Sequence, residues 1–355
     1  MKALVLAGGS GTRLRPFSHS MPKQLIPLAN RPILEYVLED LRGLGVAEAG
    51  IIVGRWAAEI RAAIGDGSRF GMRVHYIQQD APLGLAHCVQ VAEPFLGADD
   101  FVMYLGDNVL PDGIAEVGMQ FQARRPAAQI VVQKVADPHR FGVVEIGRDG
   151  AVERLVEKPA HPRSDLAILG VYFFTAAIHR AVASIAPGRR GELEITDAVQ
   201  WLLASGAAVE ASRYDGYWRD IGRPEDVLAC NARLLGHLRP AVTGEVDGAS
   251  RVTGRVVIEA GARIVRSRIE GPAIVGAHTV IEDSRIGPNT SIGRDCVLSH
   301  TDLAGSIVQD GASISSVRGL RSSVIGRSAA VRSLDRGSPY HRLAISDHVS
   351  LELAG

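Results

Sequence analysis

The chain has 355 residues, of which 46% are hydrophobic and 22% are charged, and its 39 basic residues balance 39 acidic ones. This length suits two domains of ordinary globular composition, and the longest apolar stretch, 166–178, is too short to span a bilayer. Because the net charge is zero, no bulk field draws the chain to nucleic acid or to an anionic membrane, and any phosphate binding must come from local arrangement.

Strands and helices alternate along the first part of the chain. Continuous apolar runs predict strands at 3–7, 50–54, 73–79 and 101–105, and apolar residues on one helical face predict helices at 32–44, 56–64 and 85–95. Such alternation indicates an α/β fold with a Rossmann-like, mostly parallel sheet covered on both faces. Ligands of such sheets sit beyond the carboxyl ends of the strands, so we expect the site there.

The predicted elements continue to about residue 238. Strands predicted at 130–135, 142–146 and 169–174 are interpreted as an inserted subdomain that faces the substrate. A helix at 194–205 follows, and residues 218–235 close a first domain that spans 1–238. The stretch 240–248 is interpreted as a linker.

The pattern changes at about Arg251. Aliphatic residues recur at every sixth position: Ile274, Val280, Ile286, Ile292 and Leu298. This period is typical of a parallel β-helix, and we predict a left-handed one over residues 251–355. The repeat weakens near 265–273 and 299–307, where we expect bulging loops, and 340–351 is predicted to add a last pair of strands as a cap.

A glycine-rich segment with clustered cations follows the first predicted strand. From residue 7 the chain reads AGGSGTRLRPFSHSMPK. The glycines allow a sharp turn and a close approach of backbone N–H groups to a ligand, and the cations Arg13, Arg15 and Lys23 favour phosphate. The dinucleotide-binding fingerprint fails because Leu14 stands at its third glycine, and the P-loop fails because no Lys follows Gly11. The segment therefore predicts a polyphosphate site of another kind.

This segment resembles the signature of sugar-1-phosphate nucleotidylyltransferases, G-G-x-G-T-R-L-x-P followed by P-K. The resemblance covers nearly the whole chain, and the hexapeptide tail makes it similar to the long-form glucose-1-phosphate thymidylyltransferases of deoxysugar and antibiotic pathways. It implies dTTP and a sugar 1-phosphate as substrates, a nucleotide sugar and pyrophosphate as products, and Mg²⁺ as cofactor. It also implies catalytic roles for Arg13 and Lys23 and nucleotide binding by Leu6, Gly8, Gly9, Gly11, Thr12 and Arg13.

Two further segments extend the resemblance to the base and the metal. In QDAPLGLA, residues 79–86, the resemblance implies that Gln79 and Gly84 read the base; a side-chain amide can pair with the edge of thymine or uracil. LGDN and YWRDIG supply Asp107 and Asp220, which the resemblance implies as the metal ligands, with Asp107 also contacting the nucleotide and acting in catalysis. Carboxylates past a buried strand suit Mg²⁺.

The sugar side of the resemblance lies in three more segments. In VEKP it implies that Glu157 holds sugar hydroxyls and that Lys158 holds the phosphate, with a catalytic role. Gly142 of FGVV, together with Ile168 and Tyr172 of AILGVYFF, matches positions that line the sugar. Arg190 of RGELEITD matches a segment near the same pocket. The implied reaction is an in-line attack by the sugar 1-phosphate on the α-phosphorus, without a covalent intermediate.

Three alternatives stay open at this point. The first is UTP as the nucleotide, or a modified sugar or cyclitol phosphate as the substrate. The second is an acyltransferase activity of the hexapeptide domain, with His278 or His300 as its catalytic histidine. A regulatory homologue without activity is the third, although Arg13, Lys23, Asp107 and Asp220 are all present.

The remaining features concern the setting of the protein. Cys88, Cys230 and Cys296 match neither a zinc spacing nor a disulfide framework, so we expect buried thiols. No signal peptide precedes the first predicted strand, which predicts a cytoplasmic protein. The open faces of a β-helix favour a homo-oligomer. All proposed catalytic residues precede residue 225, so we expect a chain ending near Leu238 to keep its site.

Overall fold

The structure, a computed structural model, describes residues 1–9, 11–188 and 190–333. Two compact units divide it: the first holds residues up to 9 with 21–25 and 33–220, and the second holds 11–20, 26–32 and the chain from Ile221 onward. The second unit thus includes two N-terminal segments. The domain bounds 1–238 and 251–355 stay a prediction, and the strand pair predicted at 340–351 lies outside the described residues.

A nine-stranded sheet forms the centre of the first unit. Its strands are Lys2–Leu6, Glu48–Val53, Arg73–Gln78, Phe101–Leu105, Ala128–Lys134, Gly142–Ile146, Val152–Glu157, Leu166–Phe174 and Val209–Arg213. Lys2–Leu6 pairs in parallel with Glu48–Val53 and with Phe101–Leu105, and Glu48–Val53 pairs in parallel with Arg73–Gln78. The predicted α/β fold class with a Rossmann-like sheet is confirmed.

Six helices cover the two faces of this sheet. They are α1 Ile33–Gly43, α2 Ala57–Ile64, α3 Leu85–Leu96, α4 Ala115–Arg124, α5 Ala177–Ser184 and α6 Ile195–Ala204. Alternate residues of the first strand enter different cores: Val5 lies in one with Leu38 of α1, and Leu4 lies in the other with Val89 of α3. This alternation is why the strand is apolar at every position.

The inserted subdomain predicted at 130–180 is wrong, because its strands belong to the main sheet, while its facing the substrate stays a prediction. Leu166–Phe174 pairs antiparallel with Phe101–Leu105 on one side and with Ala128–Lys134 on the other. All nine of its residues are buried, as expected for a strand inside a sheet rather than in an added layer. A strand that was not predicted, Val152–Glu157, pairs antiparallel with Gly142–Ile146.

Three parallel sheets build the main part of the second unit, and each of the first five coils contributes one strand to each sheet. The first sheet holds Ala241–Val242, Val256–Ile258, Ala273–Val275, Thr290–Ile292, Ile307–Val308 and Val324–Ile325. The second holds Glu245–Val246, Arg263–Val265, Val280–Glu282, Val297–Ser299, Ser313–Ser315 and Ala330–Arg332. The third holds Arg251–Thr253, Arg268–Glu270, Arg285–Ile286, Asp302–Ala304 and Leu320–Arg321.

This arrangement confirms the predicted parallel β-helix, while its handedness stays a prediction. Residues in register stack as an interior column, among them Ile264, Ile281, Leu298 and Ile314. The linker predicted at 240–248 is wrong, since Ala241–Val242 already pairs with the next coil. The bulging loops are wrong as well, because Arg268–Glu270 and Asp302–Ala304 continue the coils.

The rest of the second unit consists of short N-terminal elements and one helix. Thr12–Leu14 and Phe17–His19 are single 3-10 turns, Pro27–Leu28 and Arg31–Pro32 form a small hairpin, and α7 spans Pro224–Leu235. Among the described helices, none combines the length and the apolar character needed to cross a membrane.

Candidate functional site

Gln79 lies against the glycine loop that follows the first strand. A Cβ added at Gly8 would stand only 3.2 Å from Gln79 Oε1, so the absent side chain is what allows this approach. Gln79 is buried, its backbone N–H donates to Val53 O at 2.9 Å, and its Nε2 lies 3.1 Å from His87 Nδ1. His87 was not predicted as a site residue, although it directly follows the matching segment. The amide is therefore held in one orientation beside the loop.

Gly84 joins two of the sequence segments that resemble the family. Its φ is +110°, a conformation that favours glycine, and a Cβ there would collide with the backbone of Leu193. The two segments are hydrogen bonded on both sides of Gly84: Leu193 N–H donates to Leu83 O at 2.7 Å, and Ala86 N–H donates to Leu193 O at 3.0 Å. These bonds hold the segments 79–86 and 190–197 side by side.

Asp107 lies at the end of a central strand and pairs with Lys23. Gly106 N–H donates to Leu6 O at 2.9 Å, which fixes the turn beside the first strand. Lys23 Nζ donates to Asp107 Oδ2, and the two side chains are only 17% and 10% exposed. A Cβ added at Gly9 would lie 3.4 Å from Lys23 Cε. The structure thus brings Leu6, Gly9, Lys23 and Asp107 together.

Asp220 lies near Asp107 in the fold, because a short pair of strands brings it opposite the next residue, Asn108. Arg219–Asp220 pairs antiparallel with Asn108–Val109, and Asp220 is opposite Asn108. The buried Asn108 donates from Nδ2 to Asp107 Oδ1 at 3.1 Å and accepts from Trp218 Nε1 at 2.6 Å. Asn108 was not predicted, although its place beside Asp107 in GDN marks it. It connects the turns that carry the two predicted metal ligands.

The donor set on this ladder suits a hard divalent cation. Within the part of the chain that the structure describes, no three His, Cys, Asp or Glu side chains are grouped to hold a metal. Two carboxylates, with phosphate oxygens and water completing the shell, are the usual protein contribution to a Mg²⁺ site on a substrate phosphate. Asp107 and Asp220 fit that pattern.

A second polar cluster surrounds Glu157 at the end of its strand. Oε1 accepts from Arg190 Nη2 at 3.2 Å and lies 3.3 Å from Lys158 Nζ, while Oε2 accepts from Thr196 Oγ1 at 2.8 Å. A Cβ added at Gly142 would stand 3.2 Å from Glu157 Oε2, from Ile168 Cδ1 and from Thr196 Oγ1. Arg190, Lys158 and Gly142 thus lie beside Glu157, and Ile168 lies beside Gly142. Thr196 is an addition to the prediction.

The electrostatics of this cluster keep several groups uncharged or paired. Burial, with the charges of Glu157 and Glu194, raises the pKa of the Tyr172 phenol, so its hydroxyl stays protonated. Burial also raises the pKa of Glu194, against the opposing effect of Arg190, whose Nη2 donates to Glu194 Oε1 at 2.7 Å.

Lys158 has a φ of +41°, a strained angle for a residue with a side chain.

The structure places the other three predicted nucleotide ligands in the second unit. Gly11, with a φ of +64°, precedes the 3-10 turn that holds Thr12 and Arg13. Their roles stay predictions.

Comparisons with known proteins show the family of the chain. A family model described as nucleotidyl transferase matches residues 2–236. The chain belongs to the nucleotidyl transferase family. A glucose-1-phosphate thymidylyltransferase of Streptomyces griseus is 49% identical over 354 residues and all of both chains. One of Streptomyces antibioticus is also 49% identical, over 99% of both chains.

A solved structure supports the same fold for the first part of the chain. A candidate glucose-1-phosphate thymidylyltransferase of Bacillus anthracis, solved with sucrose, superposes with a TM-score of 0.62 at 32% identity. It covers 66% of this chain and 94% of its own. The family membership makes this chain a nucleotidyltransferase, and the residues described above are its candidate site.

Proposed function

We propose that the chain joins dTTP and α-D-glucose 1-phosphate to give dTDP-glucose and pyrophosphate. The observation that carries this proposal is the pair of clusters at strand ends of one unit, the Lys23–Asp107 pair and the Glu157 group. The 49% identity to thymidylyltransferases over the full length, β-helix coils included, supports this activity and the long form.

The sugar phosphate needs no general base, because it is already an anion at neutral pH. Its phosphate oxygen attacks the α-phosphorus in line, and the bond to the leaving pyrophosphate breaks. The difficulty is the repulsion between two polyanions, which fixed cations reduce in a site of low dielectric. Lys158 would hold the incoming phosphate, and Lys23 and Arg13 would hold the leaving group.

The Glu157 cluster would orient the sugar. Glu157 offers carboxylate oxygens to sugar hydroxyls, while Arg190 and Thr196 keep the carboxylate in place. Gly142 and Ile168 would line the sugar beside it, and the protonated Tyr172 adds no charge there.

Magnesium would bind on the carboxylates of Asp107 and Asp220 and would supply positive charge to the α-phosphate. Asn108 would keep the Asp107 carboxylate oriented, since it donates to Oδ1. Lys23 donates to Asp107 Oδ2 in this structure. When a triphosphate is bound, the lysine amine could bind its phosphate oxygens instead.

The base would be read by the Gln79 amide, which presents an acceptor and donors to a pyrimidine edge. We therefore expect dTTP to be preferred, UTP to react more slowly, and ATP and GTP to react poorly. The cytoplasmic location and the homo-oligomeric state stay predictions.

A pyrophosphate-release assay over four triphosphates and several sugar 1-phosphates tests the proposal, with each triphosphate alone as the blank. Release that requires dTTP or UTP together with glucose 1-phosphate supports it. An equal kcat/KM for GTP and dTTP would contradict the role of Gln79, and no release with any pair would contradict the function.

A further inference from the structure

A strained hairpin turn lies shortly after the proposed phosphate-binding lysine. Pro27–Leu28 and Arg31–Pro32 pair antiparallel, and the two turn residues, Ala29 and Asn30, have φ angles of +46° and +62°. Two positive angles are those of a type I′ turn, which suits Asn and Gly but is unfavourable for Ala. Contacts from outside the hairpin must stabilise this turn.

Two hydrogen bonds hold the turn, one to α7 and one to the β-helix, and a third joins α7 to the β-helix. Asn231 Oδ1 accepts from Ala29 N–H at 2.8 Å and from Ser291 Oγ at 2.7 Å, and Asn30 Nδ2 donates to Ile292 O at 2.7 Å. Asn231 and Ser291 are fully buried, where hydrogen bonds are strong and a missing partner is costly. These five residues are called the clasp below.

Ser291 departs from the pattern of its own column in the β-helix. The described residues in register with it are Ala241, Val257, Ile274, Ile307 and Val324. Each of these is apolar, so packing between coils does not explain a hydroxyl at this position. An apolar residue would continue the column but could not donate to Asn231.

A further hydrogen bond holds the chain on the other side of Lys23. Arg327 Nη2 donates to Ser20 O at 3.0 Å, and Arg327 belongs to the β-helix part of the second unit. Residues 21–25, which carry Lys23, thus run between Ser20 and the hairpin that the clasp holds. Both flanks of this short segment are fixed by the second unit.

We propose that the clasp is a positioning device for Lys23, with Asn231 and Ser291 as positioning residues for nucleotidyl transfer. The inference rests on the proposed function, in which Lys23 binds the leaving pyrophosphate. Fixed flanks restrict where the lysine amine can lie, and a misplacement of about 1 Å can lower a rate by about 10²-fold. The β-helix would then contribute to catalysis without supplying a reacting group.

Ser291→Ala tests the clasp, with Ser306→Ala as the matched control. Ser306 is also a fully buried serine of the β-helix, but its hydroxyl bonds only within the coils, to Ala304 O at 2.8 Å and from Ser323 N–H at 3.1 Å. We expect Ser291→Ala to lower kcat about ten-fold while KM for glucose 1-phosphate changes less than about two-fold. Ser291→Thr should restore kcat, and Ser306→Ala should lower Tm without lowering kcat.

Equal kcat in Ser291→Ala and Ser306→Ala would overturn the inference, whatever their Tm. If Ser291→Ala does not fold, Asn30→Gly decides, because glycine keeps the turn and removes only the bond to Ile292. A folded Asn30→Gly with reduced kcat supports the clasp; full activity, or failure to fold, overturns it. Nucleotidyl transfer by the wild-type chain is measured in the same assay. An inactive wild-type chain would contradict the proposed function, whereas an active wild type with unaffected variants would contradict only the role of the clasp.

Discussion

The two units of this chain distribute polar residues in opposite ways. In the first unit, buried polar side chains such as Gln79, Asp107 and Asn108 collect where strands end. In the β-helix, buried serines and threonines recur along the coils and bond to the backbone of neighbouring turns, as Thr279 does to Gly293 O at 2.7 Å. This difference indicates that the chemistry lies in the irregular turns of the first unit. Ser291 differs from the other coil serines because its hydroxyl donates to Asn231 of α7.

The largest effect should come from the carboxylates of the first unit. Asp107→Asn and Asp220→Asn each remove a charge where electrostatic stabilisation dominates, so kcat should fall by about 10²-fold or more. Steady-state kinetics across a Mg²⁺ titration would measure this, with Tm as the control for folding. Full activity of either variant with Mg²⁺ would remove that residue from the proposed metal site.

Changing the two cations proposed to bind phosphate should affect the two substrates differently. Arg13→Ala should weaken dTTP use by about ten-fold or more and leave glucose 1-phosphate binding nearly unchanged, whereas Lys158→Ala should do the reverse. Calorimetric titration of each variant with each ligand checks this. Identical losses for both ligands would show that the two cations act on one phosphate group.

A cavity in the β-helix should affect stability and leave chemistry alone. Ile281 is fully buried and stacks between Ile264 and Leu298, so Ile281→Ala should lower the unfolding free energy by about 2–5 kcal/mol. Turnover per folded molecule should stay at the wild-type value, and Ile281→Val is the conservative control. A loss of kcat in a fully folded Ile281→Ala would mean that the coils influence the site more widely than through the clasp.

The smallest effect concerns a carboxyl group away from the chemistry. Burial raises the pKa of Asp40 from 3.8 to about 7, although the Tyr104 hydroxyl donates to Oδ2 at 2.8 Å. Because the folded-state pKa lies above the unfolded one, the contribution of Asp40 to stability should be most favourable below about pH 4, fall up to about pH 7 and then level off.

Asp40→Asn keeps an acceptor for Tyr104 and removes the charge. It should therefore raise the unfolding free energy at pH 8 by about 1–3 kcal/mol and flatten this part of the pH profile. Urea unfolding at pH 5 and pH 8 measures both. A wild-type stability that rises over this range while the variant's does not would contradict the assigned direction.

The sequence predicted those features that depend on neighbours along the chain. The strands Phe101–Leu105 and Gly142–Ile146 were predicted with their observed bounds, since a glycine directly follows each of them and marks its end. Helices α4, α5 and α7 were not predicted; α4 contains Gly118 and the exposed Met119, which interrupt its apolar face. The placement of Leu166–Phe174 in the main sheet required knowledge of its partners, which the local pattern does not contain.

Long-range side-chain contacts explain the rest of what the sequence missed. Ala29 and Asn231 are 202 residues apart, and Asn231 and Ser291 are 60 apart, so no motif could relate them. That a chain ending near Leu238 keeps its site stays a prediction; residues 26–32 belong to the second unit together with the chain from Ile221 onward. The family motifs predicted candidate site residues and gave no information on what holds them.

The most direct test of the central claim follows the oxygen atoms of the sugar phosphate. Glucose 1-phosphate labelled with ¹⁸O at its non-bridging phosphate oxygens is incubated with dTTP and Mg²⁺, and the products are weighed by mass spectrometry. Attack by the sugar phosphate on the α-phosphorus predicts dTDP-glucose that retains all of the label and pyrophosphate that carries none. Label in the pyrophosphate, or the absence of dTDP-glucose, would contradict the proposed reaction.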